Sequence, residues 1–222
     1  MWSYYGTKKR LAKYYPKPQY DVIVEPFAGA GQYSLFGDNW KKEVILVDKY
    51  ELIVNLWKWL INVSEDEILS LPILQENDTL DNYPNLSQES KNLIGFYINK
   101  GSACPKKKVK KFNGWHENRK QEIANNLKKI RHWKVFYSDY KNIPNKDATW
   151  YIDPPYQFGG EWYHESNKSI NYIDLANWCK ERNGQVIVCE NSKATWLPFK
   201  PLVEINGQKH KTLEVIYTQN CE

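Results

Sequence analysis

Cysteine and histidine are both scarce. The four cysteines, Cys104, Cys179, Cys189 and Cys221, lie far apart with no C-x-x-C spacing, and the four histidines are scattered. This excludes a disulfide framework and supplies no zinc-ligand cluster, so reduced thiols and no bound metal are expected. No apolar run approaches the roughly 20 residues that a membrane helix needs, and "MWSYYGTKKR" at the N-terminus has no apolar stretch behind its charges. No membrane partner and a cytoplasmic location are therefore expected. Internal repeats are absent as well. At 222 residues and 26.3 kDa the chain can bury one sizeable core, with room for an insertion.

The charge present is uneven. Net charge is +5, yet residues 101–134 hold eleven Lys and Arg against Glu117 and Glu122, which leaves the rest of the chain net negative. One region, rather than the whole surface, is expected to meet a polyanion. Its densest part is "PKKKVKKF" at 105–112.

Short β-branched runs are expected to form buried strands of a parallel sheet: "DVIVE" (21–25), "EVILVD" (43–48), "KVFYS" (134–138), "ATWYID" (148–153) and "GQVIVCE" (184–190). "PLVEI" (201–205) and "LEVIYT" (213–218) add two more, and the Asn-Gly between them favours a hairpin. Helical periodicity falls in 50–63, 118–133 and 169–182. The alternation predicts an α/β fold, with an open, mostly parallel sheet of about seven strands. The long stretch between the second and third strands exceeds what a crossover needs. Residues 1–60 and 132–222 are therefore assigned to a catalytic domain and 61–131 to an inserted recognition segment.

After the first strand, "VEPFAGAGQYS" places Gly29 and Gly31 where the chain should turn sharply from strand to helix and let a ligand approach the backbone. Asp48, ending the second strand, has the position of an acid that accepts ribose hydroxyls. Together they suggest an adenosine-containing cofactor, although a tight turn without a ligand has the same spacing. No G-K-[ST] follows the loop and Glu25 precedes it, which disfavours a phosphate site and favours a cationic cofactor. S-adenosylmethionine (SAM) carries such charge, and Phe27, Tyr4 and Tyr5 offer cation–π faces.

"WYIDPPYQF" (150–158) ends the fourth strand on Asp153. Pro154 and Pro155 fix φ and remove two N–H donors, leaving carbonyl acceptors beside a carboxylate. An exocyclic amino group has two N–H bonds for such acceptors, one for Asp153 and one for the Pro154 carbonyl, and Tyr156 offers a flat face for a base. Methylation of an aromatic amine is the chemistry this pattern suits; a plain strand-ending turn is the alternative.

With these motifs in order, the chain resembles the DNA adenine methyltransferases of the Dam-type motif order, which have the class I SAM-dependent fold. "YYGTKKR" (4–10), "VEPFAGAG" (24–31), "LVDKYELI" (46–53), "YSDY" (137–140), "IDPPY" (152–156) and "KTLEVIYTQN" (211–220) carry the likeness. The resemblance implies that Lys8 meets the methionine part of SAM, that Glu25, Gly29 and Gly31 form its loop, and that Asp48 holds the ribose and Asp139 the adenine. Asp153, Pro154 and Tyr156 would receive the target base, extruded from the duplex. The lysine-rich segment departs from the family's glycine-rich recognition hairpin. Lys106, Lys107, Lys108, Lys110 and Lys111 are expected to contact DNA phosphates. Trp115 is expected to enter a groove or support a flipped strand, with core packing as its alternative. The expected activity is methyl transfer to adenine N6 in DNA. The rivals are cytosine N4 methylation and a non-catalytic DNA-binding protein that kept the fold.

Overall fold

The computed structural model describes residues 1–222 except 3, 5, 99–102, 112, 162, 207–210 and 221–222. Seven strands form one sheet: β1 (Val22–Glu25), β2 (Glu43–Asp48), β3 (Lys134–Tyr137), β4 (Ala148–Ile152), β5 (Gly184–Asn191), β6 (Lys200–Asn206) and β7 (Lys211–Gln219). Their order is β3-β2-β1-β4-β5-β7-β6. The pairs among β1 to β5 are parallel, whereas β7 runs antiparallel to both β5 and β6. All seven expected strands are present, with ends within two residues of expectation.

β4 lies at the centre, and all five of its residues are buried, as a parallel strand covered on both faces requires. Its side chains alternate between two cores. Tyr151 joins the larger one, packed under α1 (Glu51–Asn62) and α4 (Glu117–Ile130) through Leu56, Trp57, Ile123 and Leu127. Trp150 and Ile152 join the other, beneath α5 (Tyr172–Lys180) and its Leu175 and Trp178. Among the described residues no helix is long and apolar enough to cross a membrane.

Two differences from the sequence reading have physical causes. The glycine turn does not lead into an α-helix: Gly31 and Gly37, both at positive φ, bracket a run of turns that reaches only a short 3-10 segment, Asn39–Lys41. The region 61–131 contains two further helices, α2 (Glu65–Ser70) and α3 (Gln88–Tyr97). Each begins at a serine cap, Ser64 accepting from Glu67 N at 3.0 Å and Ser87 from Ser90 N at 3.1 Å.

The lysine-rich stretch is tied down as a strap. Lys106 N donates to Gly95 O (3.0 Å), Leu80 N to Lys107 O (2.8 Å) and Val109 N to Asp78 O (2.9 Å), with the Val109 side chain buried. Gly95, in the last turn of α3, makes this approach possible: a Cβ there would stand 2.7 Å from the Lys106 carbonyl oxygen. Trp115 is corrected to a core residue. It is 1% exposed, donates from Nε1 to Pro72 O at 2.9 Å and packs beside Tyr97, so it has no face for a nucleic-acid groove.

Candidate functional site

Parallel pairing brings the carboxyl ends of β1, β2, β4 and β5 to one edge, where open α/β sheets bind ligands. Each end carries an acid: Glu25, Asp48, Asp153 just beyond β4, and Glu190. A cleft of about 950 Å³, mouth included, opens there. Of the residues singled out in the sequence, Lys8, Glu25, Phe27, Gly29, Gly31, Asp48, Asp139, Asp153 and Pro155 line it, as does Tyr4. Pro154 and Tyr156 are not on that lining, and Tyr5 lies outside the described residues.

The glycine turn forms one wall. Gly29 N donates to Asp48 Oδ2 (3.0 Å), Tyr50 N to Asp48 Oδ1 (2.9 Å), and Trp57 Nε1 to Gly29 O (2.9 Å). A Cβ at Gly31 would come within 2.8 Å of the Trp57 ring, so the helix behind the loop presses directly on its backbone. Asp48 thus holds the loop while facing the cleft; burial pushes its carboxyl up to about 6, although the N–H groups of Tyr50, Gly29 and Lys49 oppose this. Burial likewise pushes Glu25 up to about 7, against the pull of Ser34, whose N–H donates to it at 2.9 Å. Asp139 caps the turn Tyr140–Asn142 by accepting from Lys141 N (3.0 Å), and pairs with Lys49 (3.2 Å). The rings of Phe27 and Tyr140 lie 5.4 Å apart on the same lining.

The other wall is the Asp-Pro-Pro-Tyr turn. Lys8 Nζ is 3.2 Å from Asp153 Oδ1 and donates to the Tyr156 hydroxyl at 2.5 Å. Tyr156 in turn donates to Glu214 Oε1 (2.5 Å), which also accepts from Tyr15 (2.8 Å). Burial pushes Asp153 up to about 6; Lys8 opposes this, while Glu214 and Glu190 add to it. Burial alone would lower the affinity of Lys8 for its proton, but Asp153 and Glu214 together hold it above that of an ordinary lysine. The ammonium therefore stays charged.

The carbonyls after Asp153 are not equivalent. Tyr172 donates to Pro155 O at 2.6 Å, whereas none of the described residues donates to Pro154 O. Glu190 fixes the continuation of the turn, accepting from Gln157 N (2.6 Å) and Trp196 Nε1 (3.1 Å). The sequence reading missed Tyr15, Glu190 and Glu214. Two left a signal: Glu190 closes the strand run "GQVIVCE", and Glu214 is a lone acid inside the apolar run "LEVIY". The lysines 106, 107, 108, 110 and 111 are all exposed and lie outside the cleft lining, with Lys107 3.4 Å from Asp81.

The family model described as D12 class N6 adenine-specific DNA methyltransferase matches residues 4–143, more than half of the chain. No curated protein matched. Among solved structures, a candidate methylase from Haemophilus influenzae aligns at TM-score 0.40 and 11% identity, covering 90% of this chain and 80% of that one. A candidate methyltransferase from Pseudomonas syringae aligns at 0.38 and 11%, covering 96% of each chain. One from Escherichia coli aligns at 0.37 and 10%, covering 97% and 81%. Likenesses this distant carry no argument about activity.

Proposed function

As the chain belongs to the D12 class N6 adenine-specific DNA methyltransferase family, we propose that it methylates the exocyclic N6 of adenine in DNA, with SAM as methyl donor. The cleft suits that cofactor. Two acids, the buried Glu25 and the half-buried Asp48, face it from adjacent strands, and two glycines at positive φ bring bare backbone to its wall. Glu25, Gly29 and Gly31 would hold the amino-acid end, Asp48 the ribose, and Asp139 with Phe27 and Tyr140 the adenine. When bound, SAM supplies an electrophilic methyl group on a sulfonium.

The observation that carries the reading is the Asp153 carboxylate on the cleft lining; the carbonyl that follows it, Pro154 O, to which no described residue donates, would be the second acceptor. Two N–H bonds of one amine would meet two acceptors, which draws the nitrogen lone pair out of conjugation with the ring. As the N–C bond forms, the bond from the methyl to the sulfonium sulfur would break and the sulfur would keep the electron pair; the nitrogen, now cationic, would then pass one proton to Asp153 and on to solvent, leaving the neutral methylamine. Asp153 interacts more strongly with that developing charge than with the neutral amine, so its contribution falls on the transition state. A paired base cannot reach this turn, so base flipping is part of the reading. Lys106, Lys107, Lys108, Lys110 and Lys111 would contact phosphates, making the strap the DNA-facing part of the 61–131 segment.

Incubation with methyl-labelled SAM and matched DNA and RNA, followed by mass spectrometry of the nucleosides, tests this. N6-methyladenine in DNA is the expected product. N4-methylcytosine would move the assignment to the other amine, and no transfer would overturn the enzymatic reading.

A further inference from the structure

The mechanism above uses Asp153, which Lys8 and Tyr156 adjoin, but gives no part to a buried carboxylate beside them. Glu214, on β7, is 3% exposed, accepts hydrogen bonds from Tyr15 and Tyr156, and lies 3.8 Å from Lys8 Nζ. Burying a carboxylate is costly, and two phenols alone would not require an acid as their partner. Its charge changes the balance of the site: Lys8 and Asp153 alone cancel, and Glu214 leaves the cluster with a net negative charge.

We propose that Glu214 is a positioning residue for methyl transfer, holding the Tyr156 hydroxyl and drawing Lys8 partly away from Asp153, so that the target amine meets a cluster of net negative charge. This rests on reading Asp153 as the amine acceptor. Among the described residues Lys8 is the one ammonium in the cluster, and it is divided between two acids, Asp153 just beyond β4 and Glu214 on β7. Without Glu214, Lys8 neutralises Asp153 alone, and an amine that becomes cationic gains less from the site.

The groups facing Asp153 are Lys8 from the N-terminal segment, Glu25 at the end of β1, Glu190 at the end of β5 and Glu214 from β7. The Cys189 thiol and the phenols of Tyr15, Tyr151 and Tyr156 complete the surroundings. Glu214 repels the Asp153 charge and so raises its proton affinity. Glu214→Gln therefore makes Asp153 more acidic, and the acid limb of the pH–rate profile moves to lower pH.

The test uses the full chain with SAM and unmethylated duplex DNA. Glu214→Gln is expected to lower kcat about tenfold or more near pH 8, to shift the acid limb down by roughly half a pH unit, and to leave SAM affinity within about threefold. A wild-type rate, or a slower rate with the acid limb unmoved, overturns the proposal. Should Glu214→Gln fail to fold, Tyr156→Phe keeps the ring and removes only the hydroxyl that joins Lys8 to Glu214. It should lose about tenfold in kcat while the 2-aminopurine signal for base extrusion is kept, and a wild-type rate would overturn the role. Wild-type protein that transfers no methyl overturns the functional reading together with this one, whereas wild-type transfer with an unaffected Glu214→Gln overturns this one alone.

Discussion

Asp153 stabilises the developing cationic amine only when ionised, and burial has pushed its carboxyl up to about 6. Transfer should therefore decline as pH falls through about 6, a limb that a plot of kcat against pH would reveal. Asp153→Ala should abolish transfer while SAM and DNA still bind. Asp153→Asn separates geometry from charge: it keeps an oxygen for the amine, so residual activity points to acceptor geometry and none points to the charge. Asp48→Ala removes the acceptor of Gly29 N and Tyr50 N as well as the proposed ribose partner. Calorimetry should show SAM binding weakened by about 1.5–3 kcal/mol in a protein that still folds.

Among the elements, the strap and α3 form a unit that one added methyl can disturb. Gly95→Ala places a Cβ against the Lys106 carbonyl oxygen, and should cost roughly 1–3 kcal/mol in denaturant unfolding as the strap or helix shifts. Replacing Lys107, Lys108 and Lys110 by Ala leaves the backbone bonds of the strap in place. It should flatten the plot of log DNA affinity against log salt by up to about 0.9 per lost contact, alike on all sequences. The strands were legible in the sequence because each is a short apolar run bounded by turn residues. α2 and α3 were not: α2 spans six residues, and α3 carries Gly95 and polar residues over its first turns. The missing helix after Gly31 shows the limit of reading a loop by analogy, since the turns at Gly31 and Gly37 leave no room for one. Most of the cleft was visible as motifs, because the acids stand at strand ends. The Glu214 cluster was not, because its contacts, such as that with Tyr15 across 199 residues, are made only by the folded sheet.

For the molecule as a whole, burial raises four carboxyls together: Glu190, along with Glu25 to about 7, Asp48 to about 6 and Asp153 to about 6. The folded state thus binds protons more tightly than the unfolded chain. The stability these groups contribute is full below about pH 4 and is lost as pH rises through 6 to 7. Ligand-free protein should melt at a higher temperature at pH 5 than at pH 8. Glu25→Gln should flatten that difference, which for Glu25 alone is on the order of 2–3 kcal/mol. The sheet order also dictates a sequence of assembly. β7 follows β6 in the chain yet lies between β5 and β6, so β6 has nothing to pair with until β7 arrives. On a ribosome the strand ends that line the cleft emerge and can dock first, while Lys8 waits for the acid on the final strand. The glycine turn and the turn after β4 can thus be in place before β7 pairs with β5, and that pairing is what brings Glu214 to Lys8 and Tyr156.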